Sequence, residues 1–469
     1  MNLVTHPLIS RPPAATTSSN TRGGMSNSQI AGEYIASSGQ RVPPPEVLDA
    51  ARLCLTDWMS VAIGAGGEPA GRVVRDTVAS WHSTGKASVL FGGTAAAPMA
   101  ALANGTLAHC LDFDDTYVDS VTHTSAPVWA ATLALGQEIE ADEAAMLGAF
   151  VTGFEIVTRI GHGLGQAVTA RGWHGTGVFG RLGAAASCAA LLKLESTRAQ
   201  HALALAGTQT SGLTASFGTM AKPFHAGKAA MDGVLSAQLG AGGMMGAATL
   251  FEAGGGLDNA VVQDGSLRIG PVDFDGWRIL RNSFKPYAAC HLTHPAIDAA
   301  RELLAQGVDI AAIRSVLADV GALAAQVTGQ TNGRPDTPLA AKFDLRYCVA
   351  LALHGRDVSA ADFREDWKPE PAITALAERV SVSAHPGMGF ASATLTVETN
   401  GHGGVSAHVP VAKGHPGNAM SWEDMRTKFD GLVAPVLGDR AGALFALLRG
   451  FGGGDALPAI RDVLQGLRA

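Results

Sequence analysis

Cysteine is scarce in this 469-residue chain: Cys54, Cys110, Cys188, Cys290 and Cys348 are widely spaced, odd in number and form no C-x-x-C pair. That pattern supports neither a disulfide framework nor a zinc knuckle, and a reducing, cytoplasmic setting is the expectation. Charge is sparse too, at 16% of residues, with a formal balance of −7 at pH 7. Nucleic-acid binders usually carry a basic face, so nucleic acid is not an expected partner. An anionic small substrate stays open, because a local cationic pocket can sit in an acidic protein. No apolar run reaches the roughly 18 residues of a spanning helix. The stretch from Leu182 to Leu192 stops at Lys193, so no membrane is expected as a partner. Acids are missing from the start of the chain, the first being Glu33. Residues 1–27 are rich in Ser, Thr and Pro and read as a flexible tail. Arg11 and Arg22 allow a targeting reading, but the amphipathic repeat of a transit peptide is absent, and Met25 leaves room for a later start.

What is present is core material. Apolar residues make up 47% of the chain, and its 58 glycines and 22 prolines follow no period, which excludes global disorder and collagen. At about 150 residues per domain, the length suggests two large domains or three smaller ones. Residues 28–277 read as helices. The segment from Pro45 to Leu55 opens with proline in a first turn and repeats apolar residues at threes and fours. Ala126 to Leu135, Ala144 to Ile160 and Gly183 to Leu194 behave alike, with small residues on every side, as in closely approaching helices. Within 278–417 the pattern changes. Ile313 to Val320, Glu378 to Ala384, Ala393 to Glu398 and Gly404 to Val411 alternate like strands, with a hairpin turn at Asn400-Gly401-His402-Gly403. Helices over His294 to Gln306 and Lys342 to His354 interleave with them, giving an α+β block. Helical patterning resumes in 418–469, with Ser421 placed as an N-cap. The expected class is mainly α, with the last segment rejoining the helical body.

The densest chemistry lies in His109-Cys110-Leu111-Asp112-Phe113-Asp114-Asp115-Thr116, followed by Asp119 and His123. Three carboxylates within four residues repel one another, and interleaved apolar residues favour a half-buried loop over a solvated one. Asp112-x-Asp114-x-Thr116 fits an aspartyl-phosphate phosphatase pattern, but no apolar strand precedes it. Asp114-Asp115-x-x-x-Asp119 fits the magnesium motif of terpene synthases, but their second metal motif is missing. Gly175-x-Gly177-x-x-Gly180 has the dinucleotide spacing without the preceding strand. An anion site at a helix N-terminus, with His174 at its mouth, suits these glycines better. Further on, Lys222-Pro223 reads as an extended lysine held ahead of a helix. Lys285-Pro286-Tyr287 leads to Cys290, His291 and Thr293, where a buried structural cysteine competes with a cleft position. Lys342 to Val349 starts a helix whose Tyr347 is either a core tyrosine or a cleft acid.

Together these blocks resemble the MmgE/PrpD family. The resemblance runs from about Ile30 to the C-terminus through Ile30-Ala31-x-x-Tyr34-Ile35-Ala36, His109-x-x-Asp112-Phe113-Asp114-Asp115-Thr116 with His123, and Gly153-Phe154-Glu155-Ile156. It continues through Gly172-Trp173-His174-x-Thr176, Lys222-Pro223-x-His225-x-Gly227, Lys285-Pro286-Tyr287 with Thr293-His294-Pro295-Ala296-Ile297-Asp298, and Ala341-Lys342-Phe343-x-Leu345-x-Tyr347. It implies a helical domain built from both chain ends, an inserted α+β lid domain, a homodimer and a cofactor-free, metal-free site in the cleft between the domains. It implies catalytic roles for Asp112, His123, His174, Lys222 and Tyr347, with Thr116 in substrate binding. Lys285, Cys290 and His291 are further candidate substrate contacts. One departure stands out: where the decarboxylase and dehydratase branches place a histidine three residues before the lid-helix threonine, this chain has Cys290, with His291 shifted by one.

Known branches act on small di- or tricarboxylates and develop negative charge beside a carboxylate, which fixed cations and donors stabilise in a closed site. Lys222 would clamp a carboxylate. His123 and His174 would donate hydrogen bonds or move protons. Asp112 would orient a histidine or act as base, and Tyr347 would deliver a proton. The expected activity is a lyase: dehydration of a 2-methylcitrate-like substrate, or decarboxylation of the cis-aconitate type. Epimerisation of an iminodisuccinate-like dicarboxylate is the alternative, and a non-catalytic ligand-binding protein is the reading from outside enzymology.

Overall fold

The computed structural model describes residues 24–364, 367–400, 402–464 and 466–467. Most of the expected N-terminal tail therefore lies outside the described residues. Helix accounts for 57% of the described residues and strand for 8%, so the fold is mainly α.

Small residues build the helical body. Helices Ala97–Leu107, Ser125–Glu138, Glu143–Ile160, Gly175–Leu191 and Ala221–Ala241 pack on one another. Several are buried around almost their whole circumference. Glycine permits the closest approaches. A Cβ on Gly105 would lie 3.0 Å from the Gly227 Cα, and one on Gly227 would overlap the Leu102 carbonyl oxygen and the Thr106 hydroxyl. This crossing joins the end of Ala97–Leu107 to the first two turns of Ala221–Ala241. It thereby sets the distance between the loop that begins at His109 and the side chain of Lys222. Gly153 and Gly183 form a second crossing, where an added Cβ would meet the partner glycine's carbonyl oxygen at 2.5 or 2.7 Å.

Three local expectations need correction. Lys222 is helical, not extended, because the helix already starts at Ala221. Pro223 is tolerated there because a first-turn N–H has no partner four residues back. The helix expected from Gly183 starts at Gly175, its glycines packing against the Ser211 backbone and the Pro127 ring. The single helix expected over Lys342 to His354 is two, Pro338–Lys342 and Leu345–Leu353. Asp344 interrupts it as an N-cap, accepting from the Tyr347 N–H at 3.1 Å.

The α+β part centres on a four-stranded sheet of order β4-β3-β5-β6, with β3 Ile313–Val320, β4 Val380–Ala384, β5 Ala393–Thr399 and β6 His402–Val409. A separate two-stranded pair, Ala87–Ser88 with Thr94–Ala95, lies in the helical region. β3 runs parallel to β4 and antiparallel to β5, and the β5–β6 pairing places Thr399 opposite His402. Val316, Ala318 and Val320 alternate into the core. Helix His294–Ala305 covers β5 and β6, and Leu345–Leu353 packs on that helix.

The C-terminal helices Trp422–Leu437 and Arg440–Arg449 return to pack on Pro45–Gly64. Ser421 caps the first of them through a capping box with Asp424. Glu143 fastens the end of the chain by accepting from the N–H groups of Gly452, Gly454 and Leu457. No helix among the described residues is long and apolar enough to cross a membrane.

Candidate active site

The loop following Ala97–Leu107 is tied to the entry of the α+β part by a two-way backbone bridge, Thr116 N–H to Ser283 O at 2.8 Å and Ser283 N–H to Thr116 O at 2.9 Å. Within it Asp112 has φ +53°, a left-handed conformation that costs a non-glycine residue free energy unless its surroundings over-determine it. They do. Lys285 Nζ donates to the Asp112 carbonyl at 2.6 Å and lies 3.6 Å from its Oδ2, while Lys222 Nζ donates to Oδ1 at 2.5 Å. Burial alone would raise this carboxyl. The charges of Lys222, Lys285, His123 and His109 outweigh it and hold Asp112 well below the usual carboxylate range. A third ammonium, Lys342 Nζ, donates to the neighbouring Leu111 carbonyl at 3.2 Å. Burial lowers its pKa, with Asp112 opposing.

The imidazoles form a second layer. His123 places Nε2 3.7 Å from Asp112 Oδ1 and Nδ1 3.1 Å from Asp114 Oδ2. His109 Nδ1 lies 2.8 Å from the same Asp114 oxygen. The His109 ring sits between two others, its centroid 4.5 Å from that of His123 and 5.6 Å from that of His174. His174 is the N-cap residue of Gly175–Leu191, with Nδ1 3.1 Å from His225 Nδ1. Phe217 meets the His174 ring edge-on at 5.0 Å and lies 5.5 Å from the Lys222 ammonium. Burial pushes His109 down to about 4 against the pull of Asp114. Burial, His109 and Lys222 push His174 well below the ordinary histidine value. At neutral pH these two rings are uncharged.

Asp115 belongs to the floor. It accepts from Ser125 N–H at 3.2 Å, from the Ser125 hydroxyl and from Asn282 Nδ2 at 2.6 Å. Burial and the nearby Asp57 charge raise it to about 7. Beneath it Lys428 Nζ, from the C-terminal helix, reaches Asp57 Oδ1 at 2.5 Å and the Phe113 carbonyl at 2.7 Å.

The fold thus brings together Asp112, His123, Lys222 and Lys285, with His174 joined through His109. Thr116 Oγ1 lies 3.0 Å from His291 Nδ1. Burial, His294 and Lys285 hold His291 well below its ordinary value. The Cys290 N–H donates to the Lys342 carbonyl at 2.8 Å. Burial pushes the Cys290 thiol up to about 11, with Asp112, Lys285 and Lys222 near enough to act on it. Tyr347 is not brought in. It is buried, edge-on to Trp367 at 5.7 Å, with its hydroxyl near the Glu370 backbone. Its helix starts afresh at Asp344, and Lys342 reaches the site from the preceding one.

Sequence reasoning passed over His109, Asp114 and Lys342 as site residues. His109 and Asp114 stood in the noted motif, but three neighbouring carboxylates give no sign of which turns inward. Lys342 carried a signal, a lysine amid apolar residues. His109, Asp114 and His123 also offer metal-ligand atoms within 4.8 Å of one another. The Asp114 oxygen lies at hydrogen-bond distance from both Nδ1 atoms, however, and a cation there would require both nitrogens to lose their protons.

Residues 29–269 match the MmgE/PrpD N-terminal domain and residues 287–447 the MmgE/PrpD C-terminal domain. Together these cover most of the chain, which belongs to the MmgE/PrpD family. Among curated proteins it is similar to the cis-aconitate decarboxylase of Aspergillus terreus, 26% identical over 72% of this chain and 74% of the relative. The mouse (Mus musculus) cis-aconitate decarboxylase is 26% identical over 72% of each chain. The human (Homo sapiens) enzyme is 31% identical over 43% of each. Family and relatives together support a lyase.

Proposed function

We propose that this protein is a cofactor-independent lyase that removes carbon dioxide from a small tricarboxylate of the cis-aconitate type. The observation that carries the reading is the convergence of Lys222, Lys285 and Lys342 on Leu111–Asp112, beside uncharged imidazoles in a largely water-excluded site. Decarboxylation breaks a carbon–carbon bond and leaves its electron pair on the adjacent carbon. In an unsaturated tricarboxylate that pair delocalises through the double bond toward a second carboxylate. Fixed ammonium groups stabilise the charge there, at no reorganisation cost during the reaction. The carbon beside that second carboxylate, where the pair comes to rest, then needs one proton. In this reading His123, lying between Asp112 and Asp114, supplies it from Nε2 of its protonated ring, and His174 and Thr116 hold the remaining carboxylates. Asp112 keeps the lysines charged and aligned until substrate carboxylates share them. The same cations would serve dehydration of a 2-methylcitrate-like substrate, which is the second reading, while an iminodisuccinate-type epimerisation is the alternative outside lyase chemistry.

The test is incubation with cis-aconitate, 2-methylcitrate and iminodisuccinate, separately, in deuterated water. Product mass separates loss of carbon dioxide, loss of water and inversion with exchange. Turnover of none of the three overturns the reading in favour of a ligand-binding role. Lys222→Ala should lower kcat/KM by about a hundredfold or more, as when a transition-state charge partner is removed, in a chain that still folds because Lys285 remains to hold Asp112. A homodimer is part of the proposal, and light scattering on the purified chain checks it.

A further inference from the structure

Among the described residues three buried polar atoms at the heart of the site are unspent, His109 Nε2, Asp114 Oδ1 and His123 Nδ1. Asp114 Oδ1 has no hydrogen-bond partner, and neither has His123 Nδ1, although that nitrogen lies 3.1 Å from Asp114 Oδ2. At that separation the contact fails as a hydrogen bond only through its bent approach. Burying a carboxylate oxygen and an imidazole nitrogen side by side without a good bond costs free energy, and in active sites such bonds are often misaligned until substrate is bound. Asp114 itself cannot drift. Its side chain is 1% exposed, and its other bond, from His109 Nδ1 at 2.8 Å, comes from a ring that is 0% exposed. That ring is wedged between His123 and His174.

We infer that Asp114, anchored by His109, is the positioning carboxylate for His123: it keeps the proton on Nδ1, so that Nε2 faces Asp112 and the lysines as the proton-exchanging atom. The inference deepens the proposed function and rests on it for the identity of the reaction, but not for the state of the ring. An ionised carboxylate beside Nδ1 favours a proton there and leaves Nε2 as the lone-pair nitrogen, or as the acidic N–H once the ring is protonated. The Lys222 and Lys285 ammonium groups, clustered on the Nε2 side around Asp112, disfavour placing the neutral ring's one N–H there, which favours the same tautomer. His109 packs against the His123 ring but offers it no hydrogen bond among the described residues. Its Nε2 is buried and has no partner among the described residues, so its one hydrogen bond is the one that holds Asp114.

The experiment is long-range nitrogen-15 NMR on the histidine-labelled full chain, with His123→Gln and His109→Gln spectra for assignment, alongside kinetics on cis-aconitate. In the unsubstituted protein both His109 and His123 should be Nδ1-protonated. In Asp114→Asn, whose amide can present an N–H to the ring, His123 should move to the Nε2–H tautomer. There kcat should fall about tenfold to a hundredfold, with KM changed less than about threefold. A His123 that is Nε2–H in the unsubstituted protein, or whose tautomer is unmoved in a folded Asp114→Asn, overturns the inference. Should Asp114→Asn not fold, the unsubstituted spectrum alone decides. Absence of turnover with a Nδ1–H His123 would sink the reaction and leave the positioning role standing; turnover with an Nε2–H ring would do the reverse.

Discussion

Lys428 lies far along the chain from the loop it supports, and replacing it by methionine isolates what the floor of the site contributes. In the native state its ammonium is 1% exposed and the Asp57 carboxylate 0% exposed, at 2.5 Å. Burial drives Asp57 up and Lys428 down, toward neutrality, and each opposes the shift of the other. Lys428→Met conserves volume but leaves Asp57 buried, with Asp114 nearby and Asp115 donating only its N–H at 3.0 Å. Removing one partner of a buried pair costs about 3–5 kcal/mol. The lost bond to the Phe113 carbonyl and the ammonium's place 4.0 Å from the Phe113 ring centre add to this. A further cost of about 1–2 kcal/mol is reasonable for these contacts, though not fully additive. An overall loss of about 5 kcal/mol, read from urea unfolding at pH 7.5, is expected. The double variant Asp57→Asn/Lys428→Met removes the stranded charge and should recover about 2 kcal/mol, a coupling within the usual range for contacting residues. Turnover should fall in the single variant even where it stays folded, because Phe113 lies between Asp112 and Asp114. A single-variant loss below about 1 kcal/mol, or strict additivity in the double, would refute the claim that this pair holds the loop.

Gly227→Ala should destabilise by about 1–2 kcal/mol, the overpacking cost being partly offset by alanine's better helix propensity. Its effect on kcat/KM should be larger, since the Leu102 carbonyl it would strike belongs to the helix that positions Asp112 against Lys222; unchanged kinetics would contradict the crossing's role. Stability should decline as pH falls from about 6.5 toward 4. His109, held down to about 4, and His294, held down to about 3, bind no proton in the fold in that window, whereas the unfolded chain does. His174 and His291 act in the same direction. Asp115, raised to about 7, opposes them by keeping its proton in the fold while the unfolded chain loses it. Asp57, Glu155 and Asp298, also raised by burial, oppose in the same way, but the lowered histidines, which include His162, His225 and His415, outnumber these acids, so a net loss of stability between pH 6 and 5 is expected from urea midpoints; a flat or rising profile would contradict the buried neutral rings. Activity should survive dialysis against EDTA, since the Asp114 oxygen near His109 and His123 lies at hydrogen-bond distance from both rings; loss restored by a divalent ion would reassign that cluster.

Much of the fold was legible because its signals are local. Alternation placed β3 and β5 within a residue or so, and Ser421 announced its helix through a side chain that bonds three residues ahead. The misplacements came where local preference and packing disagree. Glycine is a poor helix former, so the apolar helical pattern began only at Gly183, while Gly175 to Gly180 read as a helix N-terminus with His174 at its mouth. Yet the helix runs through them because only glycine fits against the Ser211 backbone and the Pro127 ring. Lys222 before Pro223 read as extended for the same kind of reason, since the rule against a helical residue before proline was overridden by a helix start whose second turn packs at Gly227.

In the site, residue identity was easier to read than direction. The motif His109 to Thr116 marked the segment, but its three aspartates have three different surroundings. Asp112 faces the ammonium groups and is held well down, Asp114 faces two imidazoles and is also held well down against its burial, and Asp115 faces hydroxyl and amide donors and is raised to about 7. Nothing in the spacing separates them, because the left-handed turn at Asp112 breaks any helical or strand period that would assign faces. Those surroundings are contributed by residues at 57, 123, 222, 282, 285 and 428. Only folding brings such distant positions onto one loop, so any substitution that moves the loop should disturb all three carboxylates together, whereas Asp114→Asn should disturb one ring.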